Sequence, residues 1–234
     1  MSRAQSHIIG IAIMLAVTVI AIGAILGAVG AVFQAQASSV DVTRVADGFD
    51  RALQPTRTTG FRTATVSFSD GGLRTSTRQI RVSRNGSVTR TIDADALVFT
   101  AEDRRVASVG GAIIRGTPGN AWLLRSPPIV ASNDTVAIGV VALNASDTAV
   151  SGAGTTYLRT NVSHSRSNLG RGTFSIHLET ATPGPLVNYF ADLNTSIRRV
   201  DHDGDGITSV VATFTGTRTG YLVTHDLRLE VDDG

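Results

Sequence analysis

Residues 8–33 read IIGIAIMLAVTVIAIGAILGAVGAVF, twenty-six positions without one charged side chain. At about 1.5 Å per residue a helix of that length runs roughly 39 Å, more than the roughly 30 Å hydrocarbon core of a bilayer, which predicts a tilted membrane-spanning helix. Before it stands MSRAQSH, with Arg3 as the firm positive charge, and after it the first charges are Asp41 and Arg44. The positive-inside rule then places the N-terminus in the cytoplasm. A cleaved secretory signal ending at the small-x-small triplet Ala35-Gln36-Ala37 is the rival reading, and the apolar run is about twice as long as the core of such a signal.

The helical pattern continues beyond the apolar run. Val42, Val45, Ala46, Phe49, Ala52 and Leu53 recur at three- and four-residue intervals, with Asp41, Thr43, Arg44, Asp47, Asp50 and Arg51 between them. That is an amphipathic stripe, and Gln54-Pro55 ends it because proline disfavours helix in the residue before it. One helix is expected over 5–54, membrane-spanning over 8–33 and amphipathic over 40–53. Gly23 and Gly27 are spaced as GxxxG, which permits close helix approach.

Composition narrows the chemistry. Cysteine is absent, which removes disulfides, thiolate zinc sites and cysteine nucleophiles together. All 21 basic side chains are arginine, and with 19 acidic groups the formal net charge is only +2. Arg104-Arg105 and Arg198-Arg199 are the densest basic spots, and strand alternation sends the two members of each pair to opposite faces, so no nucleic-acid partner is expected.

Arg3-Ala4 followed by Gln5-Ser6-His7-Ile8-Ile9-Gly10 and the long apolar helix resembles the class III signal peptide of haloarchaeal type IV pilin-like proteins. The resemblance covers about the first fifty residues. It implies a cut by a prepilin peptidase between Ala4 and Gln5, a mature protein that keeps its helix, and assembly with other pilin-like subunits and their machinery. The chain departs from the bacterial pattern in having no glutamate near the start of the apolar run, and its near-neutral charge departs from the acidic surfaces usual in haloarchaea.

Past Pro55 the pattern changes to short runs of Val, Ile, Thr and Phe punctuated by Gly, Asn, Asp and Pro, the signature of antiparallel strands. Asn85-Gly86 marks a hairpin, and Pro185 with Leu186, Val187, Phe190 and Leu193 marks one further helix. The expected class is α+β: a leader over 1–4, the long helix over 5–54, and a mainly antiparallel, sandwich-like β domain over 55–234.

Eight asparagines occur, and five of them (Asn85, Asn133, Asn144, Asn161, Asn194) begin an N-x-Ser/Thr triplet, an excess that points to glycan acceptors. Asp201-His-Asp203-Gly-Asp205-Gly206 matches the first half of a calcium loop, but its twelfth position is Ala212 rather than a bidentate glutamate. A turn is therefore expected there, calcium being the sole cofactor candidate and a weak one. His164, His177, His202 and His225 are scattered, no GxSxG or HExxH is present, and a P-loop needs a lysine, so no enzyme is expected. Trp122, in an apolar strand, is expected in the core. The functional expectation is a pilin-like, minor-type cell-surface subunit, anchored in the cell membrane by a single pass, with its C-terminal domain extracellular and assembled in a surface filament. The alternative is a non-polymerising surface or adhesion protein held by the same helix.

Overall fold

The computed structural model describes the backbone of residues 2–54, 59–117, 119–146 and 148–233; the side chains of residues 2–13, 15, 21, 27–35, 37 and 233 lie outside the described set. The chain divides into two compact units, Met1–Val40 and Asp41–Gly234. Helix α1 is Ser2–Ala52.

Among the described residues no helix is long and apolar enough to cross a membrane. This overturns the membrane-spanning segment expected over 8–33, and with it the single-pass anchor, the cytoplasmic N-terminus and the extracellular placement that hung on it. The α+β class is corrected as well. Seventeen strands in three sheets make up most of the described chain, which is a mainly β protein.

Sheet I runs β1 (Gly60–Phe68), β12 (Gly154–Gly172), β16 (Arg218–Asp226), β10 (Thr135–Ala142) and β9 (Ile129–Ala131), with β17 (Glu230–Asp233) also on β12. Sheet II runs β11 (Ala149–Ser151), β2 (Gly72–Ser76), β5 (Ala96–Ala101), β6 (Arg104–Val109), β7 (Ala112–Thr117) and β8 (Asn120–Arg125). Sheet III runs β14 (Thr195–Val200), β15 (Ser209–Phe214), β13 (Phe174–Glu179), β3 (Gln79–Arg84) and β4 (Ser87–Asp93). Helix α2 is Gly184–Asp192. Pairing is antiparallel except between β10 and β16, which run parallel.

Alternation decides which side chain goes where, and sheet II is the shared wall between two cores. Leu97, Phe99, Val106 and Ile113 face one core, with Val42, Val45, Phe49 and Leu53 of α1 and Val66, Leu158 and Val162 of sheet I. Val98, Ala107, Val109 and Ile114 face the other, with Ile80, Ile176, Leu178 and Val210 of sheet III and Leu186 and Phe190 of α2. A strand covered on both faces loses the apolar–polar alternation, which is why 96–99 reads ALVF. The β6–β7 hairpin turns on Gly110 and Gly111, both at positive φ. A Cβ at Gly110 would lie 2.5 Å from Ile80 Cδ1, so the turn sits against the core with no room for a side chain.

Two devices hold the C-terminal part of α1 to its strands. Gly48 lets the helix approach β1 so closely that an added Cβ would meet Val66 Cγ2 at 2.8 Å. The buried Asp41 carboxylate accepts hydrogen bonds from the Ser69 N–H (2.8 Å), the Ser69 hydroxyl (2.5 Å) and the Asp70 N–H (3.2 Å). Burial pushes the Asp41 carboxyl up, but those hydrogen bonds and the nearby Arg44 outweigh it and hold it below the ordinary carboxylate range.

Candidate functional site

On α1, Met14, Val17, Val19, Ile20, Ile22, Ile25 and Leu26 are all more than half exposed. At about 100° per residue these positions fall on every side of the helix rather than along one stripe. Gly23 lies among them with open space around it. The side chains of Gly27's turn and of the expected processing pair Ala4 and Gln5 lie outside the described residues.

The second concentration of chemistry is the face of sheet III that turns away from its core. Along β13, Phe174, Ile176 and Leu178 enter the core, which leaves Ser175, His177 and Glu179 on the other face. The segment between β14 and β15 carries His202 to this face. His177, only 4 % exposed, has its Nε2 3.1 Å from Ser83 Oγ and its Nδ1 3.0 Å from His202 Nε2. The two rings are within 17° of parallel with centroids 5.1 Å apart. That separation is close to the nitrogen–nitrogen distance plus a ring radius on each side, so the rings meet edge to edge in an N–H···N bond. Burial, then His202, Arg198 and Arg81, push the His177 imidazolium down to a pKa of about 4.

Glu179 is buried beside it. It receives the Gln79 N–H at 3.3 Å and lies 3.7 Å from an Arg78 nitrogen. Burial raises its pKa, Asp203 and Asp205 add to the rise, and Gln79 and Arg78 oppose it. Ser83, His177 and His202 form a hydrogen-bonded chain, but Ser83 is itself buried, so its hydroxyl meets no substrate. Sheet I holds a second pair, His164 and His225, directly opposed on β12 and β16 with their Nδ1 atoms 2.9 Å apart. Neither pair has a sequence signature, because residues 25 and 61 positions apart meet only in the fold, His177 with the β14–β15 loop and His164 with β16 through strand register.

Asp201, Asp203 and Asp205 converge, their nearest oxygens all within 4.8 Å of one another, and all three are exposed. Both Asp201 oxygens already accept backbone N–H groups, Oδ1 from Gly204 (2.8 Å) and Oδ2 from Gly206 (3.1 Å), and Asp205 Oδ1 accepts from Ile207 (2.7 Å). The Gly204 bond is the main reason that the Asp201 carboxyl lies below its ordinary value. Ala212, at the place where a calcium loop ends its ligand set, is fully buried in the core.

The asparagines separate by environment. Asn85, Asn133, Asn144 and Asn194 are exposed, and Asn85, Asn144 and Asn194 are at positive φ. Asn85 occupies the expected β3–β4 hairpin and its side-chain oxygen accepts the Thr173 N–H, while Asn144 Nδ2 donates to Asp226 Oδ1 at 2.8 Å. Asn161 lies inside β12, half-buried, with its backbone N–H given to the Leu227 carbonyl. Trp122, expected in the core, is instead 46 % exposed.

Comparison with curated proteins and with solved structures returns no match. The model of the family of unknown function DUF7289 matches residues 3–230, nearly the whole chain, and the chain belongs to that family.

Proposed function

We propose that the protein is a pilin-like filament subunit, which packs its N-terminal helix against the same helix of other copies and carries the β domain on that helix. The observation that supports this reading is the all-round exposure of Met14, Val17, Val19, Ile20, Ile22, Ile25 and Leu26 on α1. A helix that is apolar on one face packs against its own domain, whereas a helix that is apolar on every side has to be surrounded. Seven such side chains yield roughly 10–20 kcal/mol when fully buried, which offsets an association cost of about 4–15 kcal/mol. A single partner covers only one side, so the arithmetic favours a bundle of several copies over a dimer. Gly23, with nothing near its missing Cβ, leaves room for the close approach of a neighbouring helix.

Mass spectrometry of filaments sheared from the cells that express the chain tests this reading. Its peptides are expected in the filament fraction at a stoichiometry that follows filament mass. Recovery of the chain solely outside that fraction contradicts the reading and favours a non-polymerising protein.

A further inference from the structure

We propose that the groove beside Trp122 binds an acidic saccharide, a hexose chain bearing carboxylate groups. The groove encloses about 310 Å³ between the start of the buried part of α1 and the end of sheet II, a size at the lower end of small-ligand sites.

Strand register builds it. On β7 and β8, Arg115 pairs with Trp122 and Thr117 with Asn120, so these four side chains share one face. That is the face that α1 covers further along: Val106, which pairs with Arg115, lies in the core with Val42. Asp103 and Arg104, where β6 begins, complete the lining. Ala121 and Leu123 point the other way and pack on the opposite core, so the indole is on the open side by alternation and not by fraying. The Arg115 guanidinium stands 5.6 Å from the Trp122 ring centroid and donates to Thr43 Oγ1 at 2.8 Å, which fixes the wall of the groove.

The lining selects the ligand class. A flat, half-exposed indole offers an apolar surface to the C–H face of a pyranose ring, with a polar rim close by. Asp103, Thr117 and Asn120 are short hydrogen-bonding groups suited to ring hydroxyls. None of the ion pairs among the described residues uses Arg104, Arg115 or Asp103. Two guanidinium groups against one carboxylate leave an excess positive charge at the rim, and guanidinium recognises carboxylate by paired, charge-assisted hydrogen bonds. A nucleic-acid strand fits less well, because it needs a run of stacking rings along a basic track, and here one ring stands beside an acidic side chain.

Trp122 is the only tryptophan in the chain, so tryptophan emission of the full-length protein, excited selectively over that of its three tyrosines, reports on this groove alone. The titrants are tetragalacturonate, maltotetraose as its neutral counterpart, and an oligothymidylate of equal charge. The expected result is a saturable change with tetragalacturonate, at least about tenfold weaker binding of the other two, and a similar tenfold loss in Arg104→Gln at an unchanged unfolding temperature. Calorimetry on Trp122→Ala is expected to show no binding. Absence of a saturable response overturns the proposal. Equal binding of maltotetraose overturns the acidic class, and equal or tighter binding of the oligothymidylate overturns the saccharide.

Discussion

Acidification from pH 7 to pH 5 is expected to destabilise the fold through His177. Its imidazole is buried neutral between Ser83 and His202, with a folded-state pKa of about 4 against an unfolded value of 6.5. The unfolded chain therefore binds the proton first, and stability falls as the pH drops from 6.5 towards 4. Between pH 7 and pH 5 the unfolded imidazole becomes almost fully protonated while the folded one stays neutral, which amounts to about 2 kcal/mol at 1.36 kcal/mol per pKa unit. His202 and His225 are also shifted down, chiefly by burial, and add in the same direction. Asp41, whose pKa is lowered, stays ionised through this window, whereas buried Glu179, whose pKa is raised, opposes the trend as the pH falls, so the difference between the wild type and His177→Gln isolates the histidine. Urea denaturation at half-unit pH steps measures the slope, and His177→Gln, which keeps a polar group at Ser83, is expected to remove about 2 kcal/mol of the pH dependence. An unchanged slope in His177→Gln would refute the assignment of a buried neutral His177.

The Asp41 carboxylate fastens α1 to the turn after β1, so Asp41→Ala is expected to cost about 3 kcal/mol in chemical denaturation, through lost charge-assisted hydrogen bonds and an orphaned Ser69 N–H. Phe49 is fully buried where α1 meets sheets I and II, and Phe49→Ala is expected to cost about 4 kcal/mol; a loss under about 1 kcal/mol would mean that the contact is not formed in solution. Calorimetric titration with calcium is expected to show no binding tighter than about millimolar at Asp201, Asp203 and Asp205, because both Asp201 oxygens are committed to backbone N–H groups and Ala212 supplies no ligand. Micromolar affinity abolished by Asp203→Asn would contradict this.

Local signals in the chain were legible wherever one element carried them. The intervals from Val42 to Leu53 place those side chains in the core that they fill, Asn85-Gly86 makes its hairpin with both residues at positive φ, and Pro185 opens α2. The failures share a physical cause, which is that long-range pairing decides them. Thr195–Val200 reads as polar because its strand is exposed at alternate positions on the edge of sheet III, and Ile129–Ala131 is too short to show a period. The nineteen-residue β12 pairs with β1 and β17 along its first half and with β16 along its second, a change of partners that no local period can show. Trp122 belongs to an apolar run, yet alternation turns it out of the core. The His177–His202 and His164–His225 pairs exist only in the fold. Charge-free length, read as a membrane span, did not carry over to the described helix.

Electron microscopy of the full-length chain, with helical reconstruction of any filaments formed, tests the central claim most directly. Filaments are expected whose core is built from α1 of several copies, with Met14, Val17, Ile20 and Ile25 in helix–helix contacts and the β domains arrayed outside it. A homogeneous population of monomers in which Ile20 and its neighbours stay open to solvent would contradict the account.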